Sequence, residues 1–471
     1  MLFRSQTIST FDDPNFWVRA TAYGEPFAYR PEDRPSMAVD GDPSTAWLVA
    51  DRADPIGQAI EVSNTSGSLT LVQPQNPAAN RRISRVVVSY PGSSAAPVSV
   101  DLTEASLTPT GQRIAVNPSL PVRIEIAEVT PVASGTDVGP SAVGFAELGV
   151  GTHLEWIRTP AVDTPADTPV AVVLSRERVD PLNRWRSDPE RVMRREFSLT
   201  SPFEVTGTAR IRVDTRASDD ALNQLLGVTG AVASRRLSGD SNSRGIFATD
   251  GDPSSAWATP FGTPVGSSLT LTATTDGVSG FTLQQPLDEF HSLIVAASIS
   301  QGGRSFDVGV GHPDEQGRSE VSLPQSLAKG PFTLTITRVA ERTTLDRRYG
   351  EPTVLPAAIA DLSGDGIGVT EFVGGDHAPA CALGYLTVDG APVGVEMDEE
   401  AFQSLRVGET IERPLCTSDT ARSLSLAAGS HRLETAPPAG LQIDTVVLRS
   451  RCSAASFTDR KSTRLNSSHR T

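Results

Sequence analysis

The octapeptide Asp40-Gly41-Asp42-Pro43-Ser44-Thr45-Ala46-Trp47 returns 210 positions later as Asp250-Gly251-Asp252-Pro253-Ser254-Ser255-Ala256-Trp257. Two such copies mean a repeated module. Asp-Gly-Asp-Pro is turn chemistry: glycine takes backbone angles closed to other residues, proline fixes φ, and the carboxylates either cap the turn or hold a hard cation. A Trp directly behind the turn is an anchor for a small core more often than a sugar platform. The flanking segments agree in kind. Val18-Arg19-Ala20-Thr21-Ala22-Tyr23 precedes the first copy and Ala231-Val232-Ala233-Ser234-Arg235-Arg236 the second. Ala142 to Leu148 closes the first and Ala357 to Leu362 the second, so that Glu147 and Asp361 occupy equivalent places in the closing strands.

Short runs rich in apolar and β-branched residues, such as Arg85–Tyr90, Val122–Ile126, Ala209–Val213, Ser268–Thr272 and Thr333–Thr337, are punctuated by Gly, Pro, Ser and Asn. That rhythm predicts an all-β protein of sandwich type. Helical periodicity is scarce, with short candidates at Asp219–Leu226, Asp188–Arg195 and Asp398–Leu405. Punctuation divides the chain into module one (1–158), a Pro-rich linker with lead-in strands (159–215), module two (216–366), a smaller β-domain (367–452) and a tail (453–471). Asp459 to His469 resembles a reading frame of a common sequencing adaptor and is set aside from fold reasoning, so the sequence is read as a fragment.

A formal charge of −15 with no basic stripe argues against nucleic acid as a partner. No apolar run is long enough to span a bilayer, and the first residues lack the apolar core of a signal peptide. Cys381 and Cys416 enclose a stretch that reads as β-structure; they form either a disulfide, as suits an exported domain, or buried thiols. Cys452 is left without an evident partner.

Val18–Trp47, Ser68–Leu71, Ile83–Ser89 and Val143–Leu148 resemble a discoidin, or coagulation factor 5/8 type C, module, and Ala231–Trp257 with Ala357–Leu362 resemble a second. The resemblance implies tandem galactose-binding-like jelly rolls that serve as carbohydrate-binding modules. It also implies a structural Ca²⁺ in each, held by Asp40, Asp42, Thr45 and Glu147 in module one and by Asp250, Asp252, Ser255 and Asp361 in module two. Calcium suits such oxygen ligands on a bent loop, although Asp361 is one methylene shorter than Glu147. Sugar recognition would fall on loops, and the loop from Tyr23 to Arg34 offers Tyr23, Phe27, Tyr29, Arg30 and Arg34, aromatic faces beside hydrogen-bond donors. The opening Thr7 to Asn15, the run Tyr23 to Phe27, the Arg-rich stretch Arg184 to Phe197 and Cys381 to Gly390 are similar to the large D-type actinobacterial α-(1→3)-arabinofuranosyltransferases that extend cell-wall arabinan. That similarity implies an exported, membrane-tethered region whose partners are arabinan or arabinogalactan and the membrane domain of the parent enzyme.

Catalysis within the chain itself has little support. The histidines are scattered, and no zinc motif, nucleophile elbow or phosphate loop occurs. Asp361 to Gly366 opens like an EF-hand loop but places Phe372 at its twelfth position, so it reads as a turn. The sequence thus predicts a non-catalytic glycan-binding region, with a structural scaffold as the rival and a glycosidase carrying accessory modules as a third possibility.

Overall fold

A computed structural model describes residues 8–25, 30–50, 53–63, 66–74, 80–130, 142–159, 168–177, 188–345, 352–372, 380–418, 421–437 and 439–450. The protein is all-β, as the run lengths predict, and contains two copies of one sandwich.

In module one, five antiparallel strands lie in the order Val18–Ala20, Ala59–Val62, Val122–Thr130, Arg82–Ser89 and Val98–Asp101. The opposing layer pairs Ser68–Leu71 with Gln112–Ala115 and Trp47–Val49 with Val143–Phe145. Alternation on Val122–Thr130 shows why the layers meet: Val122, Ile124 and Ile126 are buried, and the residues between them face outward. Trp47 is fully buried between the layers, and burying a side chain of that kind stabilises by roughly 2–3 kcal/mol. Module two repeats the order with Val232–Ala233, Ser268–Ala273, Gly330–Ala340, Leu293–Gln301 and Arg304–Gly309, and Trp257 is likewise fully buried. Both tryptophans therefore belong to cores.

The third unit departs from the sequence-based boundaries. Ala171–Ser175, Arg194–Leu199 and Phe203–Val213, assigned above to a linker with lead-in strands, pair with Leu441–Ser450, Gly429–Thr435 and Ile411–Cys416 of the presumed separate C-terminal domain. They form one composite sandwich that also takes in Glu155–Arg158 and Ile8–Phe11. The physical reason is the inward face of Phe203–Val213, where Val205, Ala209, Ile211 and Val213 are buried and need a second layer. Module two is inserted between Val213 and Ala380. Its entry and exit are neighbours, because Val228–Thr229 pairs with Glu371–Phe372. Of the Pro-rich run, Thr159, Thr168 and Pro169 are described; residues 160–167 lie outside the described residues.

Two of the three helix candidates form. Asp219–Leu226 is capped by the Ser218 hydroxyl and ends on Gly227 in the left-handed conformation, and Glu399–Arg406 is capped by Asp398. Leu222, Leu226, Ala401 and Leu405 seat these helices on the composite core. Asp188–Arg195 is not helical: Arg194–Leu199 is a strand that buries Arg195, Phe197 and Leu199 at alternate positions. Cys381 and Cys416 form a disulfide with Cα atoms 5.8 Å apart. Among the described residues no helix is long and apolar enough to cross a membrane.

Candidate functional site

The repeated turn in module one is built around Asp40. Its carboxylate accepts from Asp42 N–H at 3.0 Å, and Gly41 adopts φ +80°, where a Cβ would lie 2.4 Å from Thr152 Oγ1. Thr45 Oγ1 lies 2.8 Å from Asp40 Oδ2, 2.8 Å from the Asp42 carbonyl oxygen and 3.2 Å from the Met37 carbonyl oxygen. One hydroxyl carries one proton, so this cluster holds more acceptors than donors. Glu147 on the closing strand adds a buried Oε1 with no hydrogen-bond partner. Burial and the nearby Asp40 charge push its carboxyl up to about 7, and burial pushes Asp40 up to about 6.

Asp42 enters the cluster through its backbone oxygen, while its side chain is engaged elsewhere. Burial would raise its pKa, but the Ser44 hydroxyl and N–H and the Arg191 guanidinium, 3.3 Å away, hold it below the usual range. Its side chain therefore faces Ser44 and Arg191 of the composite sandwich, and its backbone oxygen joins the cluster. Among the described residues no three His, Cys, Asp or Glu side chains converge as a metal set. Two carboxylates with neutral oxygens are the donors the turn can offer, and calcium accepts such a mixture.

Module two copies the turn more loosely. Ser255 Oγ lies 2.7 Å from Asp250 Oδ2, 3.0 Å from the Asp252 carbonyl and 3.5 Å from that of Phe247. Asp252 again bonds its own Ser254, a Cβ on Gly251 would meet nothing within 4 Å, and Asp361 is half-buried on its strand. No acid of this turn has an orphaned buried oxygen among the described residues.

The expected sugar-facing loop divides. Tyr23 is 43% exposed. Arg30 is buried, with Asp33 3.5 Å away, and cannot greet a ligand; Gly24 at φ +66° leaves room for it, since a Cβ there would lie 2.9 Å from Arg30 Cβ. Arg34 is half-buried and bonds Glu155 at 2.6 Å, Pro31 O at 2.8 Å and Pro189 O at 2.9 Å. Burial opposes ionisation of Glu155, but Arg34 overrides it and holds the carboxyl below its ordinary range. Phe27 and Tyr29 lie outside the described residues.

Tyr23 stands on a groove of about 1180 Å³ between the edge strand Val18–Ala20 of module one and the composite sandwich, whose Val173, Arg158 and Arg432 line the far side. Trp17, not anticipated as a site residue, lines it too. Its position beside an edge strand was the available signal. Arg19 stacks over the Trp17 ring at 4.7 Å.

No family model matches the sequence, and no curated protein matches it. Among solved structures, the arabinofuranosyltransferase AftD from Mycobacteria aligns with a TM-score of 0.65 at 17% identity for an R1389S mutant in one class. The structure of AftD without that mutation aligns at 0.64, also at 17% identity. The match covers 96% of this chain and 37% of the first of those chains, and 95% and 36% for the second. The chain has the fold of a little over a third of the mycobacterial arabinofuranosyltransferase AftD.

Proposed function

We propose that this chain is a non-catalytic, glycan-binding region of an arabinofuranosyltransferase, lying on the extracytoplasmic side and presenting acceptor arabinan or arabinogalactan to the membrane domain of its parent enzyme. The observation that carries this reading is the groove holding exposed Tyr23 between two β-units, within a fold shared with AftD along 96% of the chain. Aromatic faces with polar tips beside guanidinium donors are what a sugar ring needs. Calorimetric titration with arabinan in the presence of calcium tests it. Absence of heat, together with an empty glycan array, overturns it.

Within the same proposal, Ca²⁺ stiffens module one through Asp40, Glu147, Thr45 and the backbone oxygens of Met37 and Asp42. The fit rests on the acceptor-rich cluster and the orphaned Glu147 Oε1. The corresponding set in module two is Asp250, Ser255, Asp361 and the Asp252 backbone, whose acids leave no orphaned buried oxygen among the described residues.

A scaffold role is favoured for module two by its arginines. Arg236 bonds Asp219 and the backbone oxygens of Thr215 and Ala217, and Arg235 bonds Val265 O at 2.9 Å. Fully buried Arg244 reaches Ser241 O and Arg406 O. Arg236 and Arg244 tie the module to the composite sandwich, whereas the Arg235 bond lies within the module.

A further inference from the structure

We infer that the ligand site is the groove shared by module one and the composite sandwich, and that it takes a neutral, extended glycan of several sugar residues along both walls. This deepens the glycan-binding reading above and rests on it.

Four of the groove's arginines are already matched by carboxylates. Arg19 pairs with Glu61 at 2.7 Å, Arg34 with Glu155 at 2.6 Å, and Arg158 and Arg432 with Glu196 at 2.6 and 3.3 Å. A phosphate or polyanion would have to break those pairs. A polyhydroxylated neutral ligand does not, because each guanidinium has five N–H donors and a carboxylate accepts more than one bond.

Two aromatic tips stand ready for such a ligand. The Trp17 indole N–H and the Tyr23 hydroxyl make no hydrogen bond within the described residues, although each ring is partly packed. An amphipathic ring with a wet polar tip stacks on a sugar face and bonds a hydroxyl at its rim.

Size sets the length. About 1180 Å³ is above the ~300–1,000 Å³ of drug-sized pockets. One monosaccharide would leave most of the groove in water, so affinity has to come from several rings in sequence. The opposite wall supplies Val173, 59% exposed on Ala171–Ser175, as an apolar contact. The site is therefore incomplete in module one alone.

The experiment titrates the full chain with linear arabinofuranose oligosaccharides of increasing length, followed by tryptophan fluorescence and calorimetry. Affinity is expected to rise at least about tenfold from a monosaccharide to a chain of several residues. Trp17→Ala, Tyr23→Ala and Val173→Arg are each expected to weaken the longer ligand about tenfold. Tyr23 and Val173 are exposed enough for their variants to keep the wild-type melting temperature, which separates lost binding from lost folding. Phe290→Ala, at a 72% exposed position in module two, is expected to bind as wild type. Wild-type affinity in the Tyr23 and Val173 variants, loss of binding in Phe290→Ala, or equal affinity for short and long ligands overturns the groove assignment and leaves glycan binding standing. If the wild type binds no glycan of any length, the proposed function falls with it.

Discussion

Thr45 Oγ1 has one proton and four oxygen neighbours, and Glu147 Oε1 has no donor to accept from. The protein's own groups thus leave the turn short of positive charge. Asp40 and Glu147 both have folded pKa values, about 6 and about 7, above the ordinary carboxylate range. Their contribution to stability is fully present below the unfolded pKa values and is lost as pH rises through 6 to 7. A bound cation reverses the penalty. Added Ca²⁺ should thus raise the melting temperature more at pH 8 than at pH 5, and Asp40→Ala should remove the increment. Thermal melts with calcium or chelator at the two pH values decide this, and equal melting temperatures throughout would sink the cation. Repetition made Asp40 and Glu147 legible in the sequence, because an acid recurs at the same place in two closing strands. The direction of Asp42 was not legible, since its partner Arg191 comes from a unit 149 residues away. Nor was the burial of Arg30, a residue type equally at home in an ion pair or in solvent.

Local elements carry two devices outside the repeated turn. An arginine opens the second 3₁₀ turn of each module, Arg34 before Pro35–Ala38 and Arg244 before Gly245–Ala248, with matching backbone angles. Both are turned to the composite sandwich. Burial pushes Arg244 down to about 10, yet its bonds to Ser241 O and Arg406 O clamp module two against the helix Glu399–Arg406. Arg244→Ala should leave those carbonyls and a void behind and cost about 2–4 kcal/mol. Urea unfolding checks this, and a loss under about 1 kcal/mol would show that the clamp carries nothing. The second device is the disulfide, which joins Ala380–Val388 to Ile411–Cys416 across the intervening strand Ala391–Met397. It passes over Gly394, where a Cβ would lie 2.7 Å from Cys381 Sγ. Gly394→Val should block the bridge, adding two reactive thiols in a thiol titration and costing about 2–4 kcal/mol through the lost crosslink. An unchanged thiol count would refute the crossing. The spacing of the two cysteines left pairing and free thiols both open, because only the sheet order shows that the strands carrying them lie within reach.

The two modules were legible because each is contiguous and repeats the other, whereas the composite sandwich was not, because its halves are separated by module two. A strand records which face it buries; it does not record which distant strand will cover that face. Phe203–Val213 reads as an apolar alternation, and its partners Ile411–Cys416, Ser423–Leu426 and Leu441–Ser450 all follow the insertion. The contiguous piece 367–452 therefore lacks half of its own core. Expressed alone, it should show no cooperative unfolding transition and poor chemical-shift dispersion. The converse variant should fold: Thr229 and Glu371 are Cα partners at the mouth of the insertion, so residues 230–370 can be replaced by a short turn without stretching the chain. The helix Asp219–Leu226 stays, keeping Leu222 and Leu226 in the composite core, but Ile246 and Phe247, which also enter that core, are lost. The excised protein should consequently unfold in one transition, with the Cys381–Cys416 bridge intact and a midpoint below that of the parent. A cooperative transition in 367–452 alone would mean that the sheet does not need its upstream strands, and the composite reading would fail.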